Sequence, residues 1–160
     1  MNTTAASALI AKFAEKQMGK HYACPRCGGN TMNTTPTRNA LSRALSVYVC
    51  DTCGMDEAIR DFAHTPKPLC DWAIIQHPKD WDMVQTYYYT FGTDPLFPHQ
   101  NGWVEVVATS WAEAHEKFRS VYPDRRPNVL NCAFFYEEER WQRMNPPKNW
   151  PGYECYGVIE

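Results

Sequence analysis

The 160-residue chain lacks any apolar run approaching the roughly 18 residues of a membrane span, so nothing in it reads as a transmembrane helix. Its N-terminal stretch also lacks the long apolar core of a secretory signal, which points to a cytoplasmic setting and to thiols kept reduced. Excess charge is scarce as well. Sixteen Lys and Arg against eighteen Asp and Glu leave a net of −2, which removes the simplest argument for nucleic-acid binding, a strongly basic chain. The small imbalance is uneven: residues 1–62 carry seven basic against five acidic side chains, and residues 63–160 carry nine against thirteen.

Cysteine, by contrast, is present seven times, and four of the seven form two matched turns, Cys24-Pro25-Arg26-Cys27-Gly28 and Cys50-Asp51-Thr52-Cys53-Gly54. Two cysteines separated by two residues can turn their sulfurs toward one point, and four thiolates satisfy a Zn²⁺ ion at about 2.3 Å with no position left open. The sequence therefore predicts one structural Zn²⁺ held by Cys24, Cys27, Cys50 and Cys53. Gly28 and Gly54 follow the second cysteine of each pair, where a left-handed or Cβ-free residue lets backbone amides point back at sulfur. A reducing compartment favours metal over disulfide in such a set. Other CxxC chemistries fail on their own requirements. A cytidine-deaminase site needs His-x-Glu upstream of Pro-Cys-x-x-Cys, yet the first histidine is His21 and the order here is Cys-Pro-x-Cys. A thioredoxin-like pair opens a helix after an apolar strand, whereas Cys27 runs into Gly28-Gly29-Asn30-Thr31. Cys70, Cys132 and Cys155 have no His or Asp arrangement that marks a nucleophile and are expected as small buried apolar side chains.

Four segments are expected. Residues 1–19 form a helix from a Thr4 cap to about Met18, with Ala6, Leu9, Ile10, Phe13 and Gln17 at helical spacing and Gly19 as the stop. Residues 20–62 form a zinc-ribbon module in which a strand, Leu45 to Val49, enters the second cysteine pair and a short helix, Asp56 to Phe62, leaves it. Pro66, Pro68 and Pro78 make residues 63–80 a linker along the surface. Residues 81–160 then read as strand (Met83 to Phe91), strand (Trp103 to Ala108), helix after a Ser110-Trp111-Ala112-Glu113 capping box, strand (Leu130 to Tyr136), short helix (Glu137 to Met144) and strand (Tyr153 to Ile159). The fold class is α+β, an N-terminal helix and zinc ribbon followed by a β-β-α-β-α-β domain. His115 sits within the helix stripe and is expected as a hydrogen-bonded, half-buried side chain. Glu137, Glu138 and Glu139 are expected to face water at a helix start. Tyr87, Tyr88 and Tyr89 must split between the faces of their strand, so at least one is exposed unless both faces are covered.

The cysteine turns, together with Asn39-Ala40-Leu41-Ser42-Arg43 and the run from Val47 through Cys50 and Cys53 to Ala58, resemble small zinc-ribbon proteins encoded by phages, prophages and conjugative elements of Gram-positive bacteria. Tyr88-Tyr89-Thr90-Phe91-Gly92 and Leu130-Asn131-Cys132-Ala133-Phe134-Phe135-Tyr136 are similar to the C-terminal modules of such accessory proteins. The resemblance implies a mobile-element origin and a setting in the host cytoplasm. Accessory proteins of this size are often inhibitors of host defence, anti-CRISPR proteins among them.

Two functions are compatible with these features. One is a non-enzymatic protein that binds a host protein, with a CRISPR nuclease as a target whose basic channel the acidic C-terminal part could occupy. The other is a nucleic-acid-binding or transcription-associated zinc ribbon, in which Arg26, Arg38, Arg43 and Arg60 touch phosphates while Tyr48 stacks on bases.

Overall fold

Apolar side chains at helical spacing produce the first element of the computed structural model, which describes residues 3–144 and 153–160. Helix α1 (Thr3–Gln17) buries Ala6, Leu9, Ile10, Phe13 and Gln17, the stripe that the sequence predicts. Gln17 is the polar member of this stripe. Its Nε2 donates to the Tyr48 carbonyl at 2.8 Å and its Oε1 accepts from the Tyr48 amide at 2.9 Å. An amide satisfied at both ends can be buried at little cost.

Two short strands, β1 (Ala40–Leu41) and β2 (Tyr48–Val49), pair antiparallel, and the chain then turns directly into α2 (Asp51–Phe62). The predicted strand from Leu45 is thus confined to its last two residues, and the predicted helix from Asp56 begins five residues earlier. The second cysteine pair opens a helix and does not sit in a second hairpin turn. Gly54 makes this possible by close approach: a Cβ there would collide with the Ala40 side chain of β1. Gly28 serves differently, since its φ of 79° is the left-handed conformation that the first cysteine turn requires.

The prolines of residues 63–80 do exclude long elements, but the segment is not the surface linker expected. Two 3₁₀ turns (Leu69–Asp71 and Pro78–Trp81) and the one-turn helix α3 (Ala73–Gln76) tuck Trp72, Ile74, Trp81 and Met83 into the same core as α1 and the cysteine turns. The Ile74 amide donates to the Pro25 carbonyl at 3.0 Å, and the Trp81 indole donates to the Ala23 carbonyl at the same distance. The first compact unit therefore runs to Met83 and the second begins at Val84.

The second unit is a four-stranded sheet in the order β5-β3-β4-β6, built from β3 (Gln85–Thr90), β4 (Trp103–Ala108), β5 (Phe134–Glu137) and β6 (Cys155–Ile159). β3 pairs antiparallel with β4 and β5, while β6 runs parallel to β4. Helices α4 (Trp111–Val121) and α5 (Glu138–Arg143) complete the β-β-α-β-α-β order. Ser110 caps α4 by accepting from the Glu113 amide, and the Glu113 carboxylate reaches back to the Thr109 amide at 2.9 Å. All three tyrosines of β3 are buried, because both faces of the strand are covered. Tyr87 and Tyr89 join Val104, Val106 and Phe118 of α4 in one cluster, and Tyr88 stacks on Trp141 of α5 at 4.8 Å on the other face. The condition under which no tyrosine is exposed, the covering of both faces, is thus met. Cys70 and Cys155 are exposed and Cys132 is half-buried, so none of the three is the fully buried side chain expected.

Replacing Gly54 by Ala should push β1 off α2. We expect Gly54→Ala to lower stability by about 1–3 kcal/mol and the melting temperature of the first unit by several degrees, read by calorimetry. An unchanged melting curve would mean that α2 and β1 are not packed this closely.

Candidate metal centre

The sequence brings the four sulfurs together from two directions. Cys24 and Cys27 lie on the turn closed by hydrogen bonds from Gly28 N to Cys24 O at 2.8 Å and from Cys24 N to Gly29 O at 2.9 Å. Cys50 is the N-cap residue of α2, and Cys53 lies in its first turn. All four Sγ atoms lie within 4.8 Å of one another, with Cys27 and Cys50 at 3.8 Å. A tetrahedron with metal–sulfur bonds of about 2.3 Å has edges of about 3.8 Å, so the donor set fits a tetrahedral ion of the Zn²⁺ type. Backbone amides support the sulfurs: Gly29 N donates to Cys27 Sγ at 3.4 Å and Cys50 N to Cys24 Sγ at 3.3 Å.

The electrostatics call for a cation. Burial pushes the Cys24 thiol up to about 11 and the Cys53 thiol higher still. Burial also opposes ionisation of Cys50, yet hydrogen bonds from the Thr31 hydroxyl and from the Cys53 amide and side chain outweigh it and bring Cys50 down to about 7. Four neighbouring thiolates are compatible only with a positive charge among them, which a bound divalent ion provides. With all four positions taken by sulfur, an ion held here would cross-link the chain and leave no position for substrate.

Arg26 adds a second positive charge inside the first turn. Its side chain is 4% exposed, and the guanidinium pairs with Asp56 and lies 3.3 Å from Glu57 Oε1. Burial works against its charge, but hydrogen bonds to Asp56 and to the Cys53 sulfur hold its pKa above the ordinary arginine value. The Arg26 hydrogen bond, with help from Arg60, holds the Asp56 carboxyl below its ordinary value. Glu57 in turn accepts from the Ser42 hydroxyl at 2.9 Å and the Arg43 amide at 2.8 Å. Arg26 is therefore a brace between the metal centre and α2, and it cannot serve as the phosphate contact expected for it. The brace was legible only in part: Arg26 lies inside the CxxC turn, but its partners Asp56 and Glu57 become visible only once α2 is known to begin at Asp51.

The remaining arginines differ among themselves. Arg60 is exposed but held by Asp56 at 2.8 Å, while Arg38 and Arg43 are exposed. Arg26, Arg43 and Arg60 line one cavity, and Arg38 does not. Tyr48 is half-buried with its backbone fixed by Gln17. In the second unit, His115 is half-buried with Nδ1 2.7 Å from the Tyr89 hydroxyl, and burial lowers its pKa. Glu138 and Glu139 face water, and the exposed Glu137 accepts from the Trp111 indole at 2.7 Å. The chain has no helix long and apolar enough to cross a membrane among the described residues.

Cys24, Cys50 and Cys53 belong to the core of the first unit, and the second unit has cores of its own. Structural metal binding of this kind is worth about 10–16 kcal/mol at neutral pH, as much as the whole stability of an ordinary domain at about 5–15 kcal/mol. Cys53→Ser, or treatment with a strong chelator, should therefore unfold the first unit and leave the second folded. Two melting transitions that collapse to one, together with solvent exposure of Trp72 and Trp81 by fluorescence, would be the readout. Protons compete for sulfur, so lowering the pH should release the metal and give the same result. Retention of both transitions after metal removal would show that the centre is peripheral.

Comparison with known proteins gives no matching family model, no similar curated protein and no similar solved structure, so the centre is read from its own sulfur geometry.

Proposed function

We propose that the resident ion is Zn²⁺ and that the chain is a non-enzymatic accessory protein of a phage or related mobile element, acting in the host cytoplasm by contact with a host protein. A defence nuclease such as a CRISPR effector is the target in this reading. The observation that carries it is the outer face of α2. Met55, Ile59 and Phe62 recur at i, i+4 and i+7 and are 66%, 63% and 90% exposed, which is the anchor spacing of a helix that lays one face into an apolar groove. The metal centre and the Arg26 brace hold the inner face of the same helix. The second unit adds an edge strand, β5, paired among the described residues with β3 alone and showing Phe134 and Phe135 to solvent. Its seven basic against ten acidic side chains from residue 84 onward suit a basic partner.

A nucleic-acid-binding role is the second reading, favoured by the gathering of Arg43 and Arg60 at one cavity. A salt-dependent gel shift lost in Arg38→Ala plus Arg43→Ala would support it.

Co-expression with several CRISPR effector nucleases separates the two. The first reading expects the chain to co-purify with an effector after nuclease treatment and to suppress its DNA cleavage. Ile59→Asp plus Phe62→Asp should cost about 2 kcal/mol or more, about thirtyfold in affinity, with the circular dichroism unchanged. Failure to capture any effector would remove that target, and an interaction indifferent to both aspartates would remove α2 as the surface.

A further inference from the structure

The cavity beside the Arg26 brace has a composition that neither the metal centre nor the outer face of α2 explains. It measures about 100 Å³ and is walled by Arg43, Arg60 and Lys67 around Trp72, all within the first unit. Trp72 is 1% exposed, and its indole Nε1–H is buried with no hydrogen-bond acceptor. A buried orphan donor costs about 1–3 kcal/mol unless something accepts from it. The indoles of Trp81, Trp103 and Trp111 all have acceptors. Among the described residues Trp72 is thus the tryptophan whose indole nitrogen is both buried and unsatisfied.

The charges around it are unbalanced in the same sense. Four cationic side chains, those three and Arg26, face two carboxylates, Glu57 and Asp61. Glu57 is already engaged by Ser42, Arg26 and the Arg43 amide. Asp56 takes Arg60 and Arg26. Arg43 and Lys67 form no ion pair among the described residues; the Arg43 guanidinium has only a long contact, 3.5 Å, to the Gly54 carbonyl. An acceptor-only group of negative charge beside Trp72 would satisfy both cations together.

Size narrows the choice. Drug-sized ligands and cofactors occupy roughly 300–1,000 Å³, so 100 Å³ excludes a nucleoside or other large molecule. It has room for about three waters at roughly 30 Å³ each, or for one tetrahedral oxyanion. We propose that this cavity binds a single phosphate group beside Trp72, held by Arg43, Lys67 and Arg60. The inference stands apart from the interaction reading and would give the nucleic-acid reading a defined phosphate contact.

The metal-loaded protein should be titrated with inorganic phosphate while the indole N–H resonances are followed by ¹⁵N NMR. The Trp72 resonance should move downfield and saturate with a Kd on the order of 1 mM, with those of Trp81, Trp103 and Trp111 nearly still. Arg43→Gln plus Lys67→Gln, both at the rim of the cavity, should weaken the response about tenfold without changing the fold. The rim variant leaves Trp72 in place as the reporter, so the test needs no substitution in the core. A Trp72 resonance that does not move, that moves equally with chloride at matched ionic strength, or that ignores the rim variant would overturn the proposal. A short single-stranded oligonucleotide distinguishes the sources: a response at lower concentration than inorganic phosphate assigns the site to nucleic-acid phosphodiesters, and a response to inorganic phosphate alone assigns it to free phosphate. Neither result depends on capture of a host protein.

Discussion

The constraint on which the first unit depends is the mutual repulsion of four sulfurs held within 4.8 Å. They ionise together only if a cation joins them, and once it does, the turn at Cys24 and the start of α2 become one rigid object. The unit has little else to organise it at that point. Its sheet is a single two-residue ladder, β1 with β2, and an isolated hairpin of this size is marginal in water. The apolar side chains Val47, Val49, Trp72, Ile74 and Trp81 share one core cluster with Cys24, Cys50 and Cys53. Metal coordination and hydrophobic burial are therefore coupled here.

The second unit is organised by aromatic packing. Its sheet is covered on both faces by aromatic side chains, with Tyr89 stacked on Phe118 at 4.2 Å and Tyr88 on Trp141 at 4.8 Å. Each large side chain buried in this way contributes about 1.5–3 kcal/mol, and the stacked geometry adds about 0.5–1.5 kcal/mol per pair. The two units share one chain but rest on different physics, coordination in one and aromatic packing in the other.

This difference governs what the sequence made legible. The four-cysteine cluster was legible because coordination fixes both residue type and spacing, and the α1 stripe, even Gln17, was legible because helical periodicity is local. Strand β4 and the Ser110 cap were readable for the same reason. Residues 63–80 were not, since their prolines signal only the absence of long elements, whereas the burial of Trp72, Ile74 and Trp81 depends on contacts with Pro25 and Ala23 some fifty residues away. For the tyrosines of β3 the strand period was legible, but whether the second face was covered stayed open, because its covering by α5 is a tertiary event. Arg26 was taken for a surface cation because a buried arginine is rare unless paired, and its partners are brought to it only by the early start of α2.

Helix α2 ties these observations to function. Its inner face is fixed three times over, by Cys53 at the metal, by Asp56 and Glu57 on Arg26, and by Gly54 against Ala40. A twelve-residue helix has marginal stability by itself, and a partner that bound it free would have to order it first. Here that ordering is complete before any encounter, so an apolar contact with Met55, Ile59 and Phe62 would lose little conformational entropy on binding. The same rigidity explains how three large apolar side chains can remain exposed in the first unit. The inner face is occupied by charge and coordination that cannot be exchanged for them, so the helix cannot roll to bury its outer face. An exposed apolar stripe held outward by a fixed inner face is what a preorganised contact surface requires, and in the proposed reading an ion at the cysteine cluster would serve binding without being part of the interface.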